Sequence, residues 1–333
     1  MTHAVPVKVT ADDAHWTPSR AAESRDETDL VDIGIYSTQT GFTIQPSELA
    51  TWAEEQGFDS VFFGEHLHVH SGLTSAFARG WQIEMPDHYL AISDPLVCAT
   101  AAAAVTDRLT VGTAVRLLPG HHPLSLAKSV SCVDLVSRGR LVLGVDGVWI
   151  AHEPGDDGSD PADRWLIARE RVLAMRQIWG NDIAEFHGDF VDFGPVWCLP
   201  RPIQPGGPPL LIGAAPSEQI ARHIVEYGDG WMPMDGADDL AGGMASIRAE
   251  AARVGRPDTE LDFTVITACQ PSGLSGSVQR VKELAELGFN RVLLLLEAGD
   301  PDIQWAELRR FTELLRATGQ QLNVAMGDGN LSL

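Results

Sequence analysis

The chain has 333 residues, of which 44% are hydrophobic and 21% charged, so it can bury a large core and is not a disordered chain. Its 46 acidic residues outnumber 24 basic ones, and the net charge of -22 argues against nucleic acid or anionic membrane surfaces as partners. The four cysteines form no CxxC pair and predict free thiols in a reducing cytoplasm.

Composition divides the chain into three segments. Residues 1–30 are polar and acidic, lack the apolar run of a signal peptide, and are predicted to form a disordered leader. Residues 31–318 are predicted to form a single domain, and residues 319–333 a loose C-terminal tail. No apolar run approaches the roughly 20 residues that a membrane helix needs. We therefore expect a cytoplasmic protein without a membrane partner.

Short β-rich runs alternate with helical segments through the predicted domain. Several runs are continuously apolar, such as Val292 to Leu296, which is typical of strands buried on both faces. The predicted strands span 32–37, 60–64, 109–116, 140–145, 209–213, 230–234, 261–268 and 291–297.

The helical segments carry start and stop signals. Pro46 suits the first turn of a helix that ends at Gly57, and Gly288 suits the end of a later one. That later helix spans 277–287. Further helices are predicted at 161–179 (capped by Asp160 or Asp163), 216–227 and 302–318.

Eight strand–helix units favour an α/β fold, a (β/α)8 barrel of the TIM type, with an open doubly wound sheet as the alternative. Two long connections, at 66–94 and 147–160, follow the second and fourth strands. Both lie on the side where barrel enzymes build their active sites.

The second strand ends in a polar pair, Glu65 and His66. A histidine at this rim is suited to move a proton or to bind a cofactor ring, and it is equally suited to capping the strand end. His66, His68 and His70 alternate as metal ligands can, but later strand ends supply no consistent ligand set, so no metal is predicted.

The third and fifth strands carry small residues near their ends. Gly112, Thr113 and Ala114 leave room for a flat ring over the barrel mouth, or they form a tapered core strand. Backbone N–H groups at the helix start near residue 216 are suited to an anionic tail.

A series of short motifs runs through the domain in a fixed order. They are Phe58-Asp59-Ser60-Val61 with Gly64-Glu65-His66, Asp94-Pro95-Leu96, Leu109-Thr110-Val111-Gly112-Thr113, His122-Pro123, Arg138-Gly139-Arg140-Leu141-Val142-Leu143-Gly144-Val145, Arg164 with Glu170, Phe186-His187-Gly188, Pro202-Ile203-Gln204, and Gly228-Asp229-Gly230-Trp231. Together they resemble the luciferase-like monooxygenase superfamily, and most of all its branch of oxidoreductases that use the deazaflavin coenzyme F420. The resemblance covers roughly residues 31–318.

This resemblance implies a cofactor site and a homodimer. The cofactor ring would lie near His66, Ala114 and Val115, with a non-proline cis peptide between the last two. The residues implied for the cofactor's tail are Gly147, His152, Gly213, Ala214 and Ala215.

The end of the fourth strand departs from the family pattern. Asp146 and Val148 replace two glycines, and the Asp146 carboxylate would repel a phosphate. Trp149 stands where the family's sugar-phosphate dehydrogenases have an acid, and no lysine occurs at a matching rim position. An uncharged or cationic, partly apolar substrate is therefore expected. Its candidate contacts are Trp81, Tyr89, Trp149 and Trp231, which are equally suited to packing between loop and barrel.

Three functions remain open from the sequence. The first is hydride transfer between F420 and a small organic substrate, with His66 as the proton carrier, Glu65 orienting nearby groups and His121 as the second candidate. The second is an FMN-dependent monooxygenase that uses O2 and reduced flavin from a partner reductase. The third is a degenerate, non-catalytic barrel that acts as a binding protein.

Overall fold

The computed structural model describes residues 31–69, 87–147, 160–236 and 239–327, with side chains except those of Asp87, Pro161 and residues 320–327. The strands are β1 (Asp32–Ser37), β2 (Ser60–Phe63), β3 (Thr110–Leu117), β4 (Leu141–Asp146), β5 (Ala184–His187), β6 (Asp192–Val196), β7 (Leu210–Ile212), β8 (Gly230–Trp231), β9 (Asp262–Thr267) and β10 (Arg291–Leu296). The helices are α1 (Pro46–Gln56), α2 (Pro95–Ala104), α3 (Pro123–Val136), α4 (Arg164–Gly180), α5 (Glu218–Tyr227), α6 (Leu240–Val254), α7 (Leu274–Leu287) and α8 (Pro301–Gly327).

Eight parallel strands close into a barrel in the order β1-β10-β9-β8-β7-β4-β3-β2. The closure joins β1 to β10 over their full length, from Asp32 opposite Arg291 to Ser37 opposite Leu296. The predicted (β/α)8 barrel is therefore confirmed, and the open doubly wound sheet is wrong. Each of the eight predicted runs contributes one barrel strand.

Local chemistry explains where the elements begin and end. Pro46 opens α1, and Gly57 ends it in the left-handed conformation with φ 89°. Asp94 caps α2 by accepting hydrogen bonds from the amides of Leu96 and Val97. Asp160 caps the short 3-10 turn before α4 instead of α4 itself, which begins at Arg164.

Some elements differ from the prediction. Strand β8, the sixth barrel strand along the chain, ends at Trp231 and not at residue 234. Pro233 lacks an N–H, and Met234 forms only a single bridge to Ile266. An antiparallel hairpin of β5 and β6, which the sequence did not predict, follows α4. The last helix, α8, continues past the predicted end at residue 318 to Gly327.

Some motif residues have structural roles. The buried carboxylate of Glu170 accepts hydrogen bonds from three backbone amides in the hairpin turn, those of residues 189, 190 and 191. Asp229 is fully buried between β7 and α4, where it accepts hydrogen bonds from the amide of Leu210 and from Arg176. Burial raises the pKa of Asp229, although Arg176 opposes this. These groups satisfy buried backbone that would otherwise lack partners.

The four cysteines are free, as predicted. Most buried apolar side chains lie between the strands and the surrounding helices, while a smaller cluster fills the barrel. No helix in the described ranges has the length and apolar composition needed to cross a membrane.

Candidate functional site

The mouth at the carboxyl ends of the strands has an apolar floor. The side chains that meet inside the barrel below it are buried and apolar. They are Phe62, Ala114, Val142, Leu211, Met232, Ile266 and Leu293. Tyr36, Met234 and Leu295 pack on this cluster and are half-buried. Because these three stand one alternation further along their strands, they form the floor of the mouth.

Ala114 and Val115 are joined by a cis peptide bond, which confirms the expectation from the resemblance. The pairing of β3 with β4 shifts register between Thr113 and Arg116, so β3 is irregular at this point. A Cβ on Gly213 would overlap the side chain of Val115. The predicted cofactor residues Ala114, Val115 and Gly213 therefore lie together on one side of the mouth.

His66 lies three residues after the end of β2. It is half-buried, and its ring centroid is 4.8 Å from that of Tyr89. Tyr89 belongs to the 3-10 helix Asp87–Ala91 in the long connection after β2. Burial raises the pKa of Tyr89, and the negative charge of Glu297 adds to the shift. The predicted proton carrier and one predicted substrate residue are thus neighbours.

Tyr36 is a mouth residue that the sequence did not single out. Its hydroxyl oxygen lies only 2.5 Å from the place where a Cβ on Gly64 would stand. Burial raises the pKa of Tyr36 to about 12; the nearby Tyr89 adds to the rise, and a hydrogen bond with Thr38 opposes it. The phenol therefore keeps its proton across the physiological range.

Glu65 belongs to a buried network. Its Oε1 lies 2.6 Å from Nη1 of Arg116, and its Oε2 accepts a hydrogen bond of 2.7 Å from the amide of Leu117. The same Nη1 lies 2.6 Å from Oδ2 of Asp94. His121 Nδ1 lies 3.3 Å from Nη2 of Arg116 and must accept, because a guanidinium only donates. His121 Nε2 therefore carries the hydrogen and donates to Glu65 over 3.1 Å.

This network bears on the roles expected of Glu65 and His121. The side chains of Glu65 and His121 are only 3% and 14% exposed, and they tie the end of β2 to β3 and its following turn. Glu65 is placed to hold the backbone beside His66, in keeping with an orienting role. Both ring nitrogens of His121 are engaged, so His121 is less suited than His66 to carry a proton.

The end of β4 is only partly described. Asp146 is buried, and its charge is among the causes, after burial, that raise the pKa of Tyr227. Gly147 lies against the ring of Trp165, where a Cβ would come within 3.1 Å. The predicted residues Val148, Trp149 and His152 lie outside the described residues.

The end of β7 leads into α5 through Ala214 and Ala215, both half-buried. Ser217 caps the helix by accepting a hydrogen bond of 3.1 Å from the amide of Ile220. The first amides of an α-helix have no intrahelical partners, which is the feature that favoured this segment for an anionic tail.

The aromatic residues predicted to contact substrate are divided by the structure. Tyr89 lies at the mouth. Trp231 is fully buried between the barrel and its helices, stacked on Phe289 with ring centroids 6.0 Å apart, and its Nε1 donates to the carbonyl of Ala214. Its assignment as a substrate residue is therefore wrong, because no face of its ring reaches the mouth. Trp81 and Trp149 lie outside the described residues.

Residues 45–272 match the family described as luciferase-like monooxygenase. The chain belongs to this family. Among the residues that the structure describes, no group of three or more His, Cys, Asp or Glu side chains is arranged to hold a metal ion.

Similar proteins include an F420-dependent dehydrogenase and a monooxygenase. An uncharacterized protein of Mycobacterium tuberculosis (strain ATCC 25618 / H37Rv) is 34% identical over 288 residues, which cover 85% of this luciferase-like chain and 96% of the relative. An F420-dependent glucose-6-phosphate dehydrogenase of Amycolatopsis mediterranei (strain U-32) is 30% identical, over 57% of this chain and 53% of its own. The crystal structure of the monooxygenase RslO1 from Streptomyces bottropensis superposes with a TM-score of 0.72 at 21% identity, covering 86% and 99% of the two chains.

Proposed function

We propose that this protein is an oxidoreductase that transfers a hydride between coenzyme F420 and a small, neutral organic substrate. The observation that carries the proposal is the apolar floor of the mouth, with His66 and Tyr89 side by side at its edge. A flat deazaflavin ring fits such a floor, and bound F420 would supply the hydride chemistry. The F420-dependent dehydrogenase among the relatives adds support.

The roles of this chain's own residues follow from their positions. An imidazole is suited to exchange a proton near neutral pH, so His66 gains or loses one at a ring nitrogen as the substrate changes oxidation state. The buried pair of Glu65 and Arg116 fixes the strand end that carries His66. The proposed contacts of the anionic tail are backbone amides in the first turn of α5, together with Gly213, Ala214 and Ala215.

A substrate without a negative charge is favoured because two arginines near the strand ends, Arg116 and Arg280, are engaged by carboxylates. Arg116 contacts Glu65 and Asp94, and Arg280 on α7 donates two hydrogen bonds, of 2.6 and 2.9 Å, to Asp235. A phosphate ester bound by either of these arginines would have to compete with its carboxylate partner. The substrate is therefore proposed to differ from the glucose 6-phosphate in the name of the relative.

An FMN-dependent monooxygenase is the second candidate, favoured by the family description and by the similarity to RslO1. The same floor would accept an FMN ring, and a partner reductase would then supply reduced flavin. A homodimer and a cytoplasmic location stay predictions, and so does the degenerate binding protein.

The cofactor is tested by titrating the purified protein with F420 and, separately, with FMN, followed by fluorescence and absorbance. We expect micromolar binding of F420. The Leu295→Trp variant fills the floor and should weaken ring binding at least tenfold. The Leu166→Trp variant is the control, because Leu166 is half-exposed on the outer face of α4.

Tighter binding of FMN, with substrate-dependent O2 consumption, would select the monooxygenase. If the wild-type protein bound neither cofactor, both enzymatic proposals would fail and the binding protein would remain.

A further inference from the structure

Tyr36 brings a hydroxyl group to an otherwise apolar floor. Along β1, Ile33 and Ile35 pack in the outer layer of the core, whereas Tyr36 packs on the cluster inside the barrel. Its floor neighbours Met234 and Leu295 offer no hydrogen-bond donor. A ligand oxygen that reaches this floor therefore meets the Tyr36 hydroxyl.

The hydroxyl is held in a defined place. It lies over Gly64, where a side chain of any size would collide with it. Gly64 stands two residues before His66, and Tyr89, whose ring centroid lies 4.8 Å from that of His66, also acts on the pKa of Tyr36. The phenol and the imidazole thus border the same part of the mouth.

The chemistry of the hydroxyl limits what it can bind. Burial holds the pKa of Tyr36 near 12, so the group is a protonated donor. A phenol hydroxyl can accept one hydrogen bond while it donates another. Glu297, whose charge acts on the adjacent Tyr89, disfavours an anionic ligand here. The fitting ligand atom is a neutral acceptor oxygen on an apolar molecule.

We propose that the Tyr36 hydroxyl binds the carbonyl oxygen of a neutral ketone or aldehyde substrate at the barrel mouth. This inference rests on the proposed hydride transfer, whose reductive direction consumes such a carbonyl. Tyr36 orients and polarises the carbonyl group beside His66, and the apolar floor takes the hydrocarbon part of the substrate.

The sequence contains only three tyrosines, Tyr36, Tyr89 and Tyr227, so protein labelled with 3-fluorotyrosine gives three 19F NMR resonances. Single Tyr→Phe variants assign them. The probes are cyclohexanone and methylenecyclohexane, which have similar shapes but differ in the acceptor oxygen. Spectra are recorded with and without F420. The buried Tyr227, in the outer layer of the core, is the internal control.

We expect cyclohexanone to shift the Tyr36 resonance in a saturable way, and methylenecyclohexane to leave it in place. In the Tyr36→Phe variant, binding followed at the Tyr89 resonance should weaken roughly threefold to tenfold, the effect of one lost hydrogen bond. A Tyr36 resonance that ignores both probes, or responds equally to both, overturns the inference. Failure of the proposed function is a separate result, because it appears as absent F420 and FMN binding in the titration.

Discussion

The guanidinium of Arg116 and the carboxylate of Glu65 meet at 2.6 Å behind the mouth, with both side chains more than nine-tenths buried. Such a pair is stable only while each charge keeps its partner, since an isolated buried charge is costly. The pair joins β3 to the end of β2, where His66 follows.

Replacing Arg116 with Met should therefore destabilise the protein by about 3–5 kcal/mol, because Glu65 would remain buried without its cation. Urea denaturation measures the change. The double variant Arg116→Met with Glu65→Gln removes both charges and should recover part of the loss. If the double variant were as unstable as the sum of the two single ones, the two charges would not be coupled.

Gly144 should be intolerant of a side chain. A Cβ there would overlap the backbone oxygen of Thr113 and come within 2.6 Å of the Met232 methyl group. Gly144→Ala is expected to cost about 1–3 kcal/mol, as overpacking does. The control is Gly194→Ala in β6, which meets nothing within 4 Å and should be neutral or slightly stabilising. Equal thermal stability of the two variants would contradict the packing at Gly144.

Asp235 should contribute to acid unfolding. Burial alone would raise its pKa, but hydrogen bonds from Arg280 and Thr267 outweigh burial and lower the pKa below the usual 3.8. A carboxylate with a lowered folded-state pKa stabilises the protein above its unfolded pKa, and this stability is lost as the pH falls through the folded value. Asp235→Asn should flatten the decline of stability below about pH 4.

The control for that experiment is Asp182→Asn, because the Asp182 side chain is 94% exposed and its pair with Arg201 is a surface one. Its stability profile should follow the wild type. An unchanged acid decline in Asp235→Asn would show that other carboxylates dominate it.

His66→Ala should lower turnover by about 100- to 10,000-fold if His66 moves a proton, while cofactor binding changes little. Steady-state rates and the cofactor titration measure the two effects separately. His68→Ala is the matched control, because His68 is exposed two residues further along. Parallel losses of turnover and binding in His66→Ala would leave His66 a contact residue only.

Asp146→Gly should tighten cofactor binding about threefold to tenfold if the anionic tail passes the end of β4, because a buried like charge is removed. Asp146→Asn separates the charge from the bulk of the side chain. A dissociation constant that is unchanged in both variants would mean that the tail takes another path.

The sequence was most informative where local chemistry decides the structure. Short β-rich runs, several of them continuously apolar, located the eight barrel strands. Gly57 and Gly288 end their helices in the left-handed conformation, as predicted. The hairpin of β5 and β6 was missed because its strands are short and β6 is largely exposed, so no buried run marks them. The prediction for Trp231 failed because an aromatic residue at a strand end can face either the mouth or the helices.

What the sequence determined by itself was the order of strands and helices, the closed barrel that they favour and the positions of His66 and Asp146 at strand ends. These follow from periodicity and turn chemistry, which act over a few residues. Only the tertiary structure decided that Tyr36 lies on the floor of the mouth, and that Arg116 engages Glu65, Asp94 and His121. Those contacts join residues far apart in the chain, and closure of the barrel sets which side chains meet.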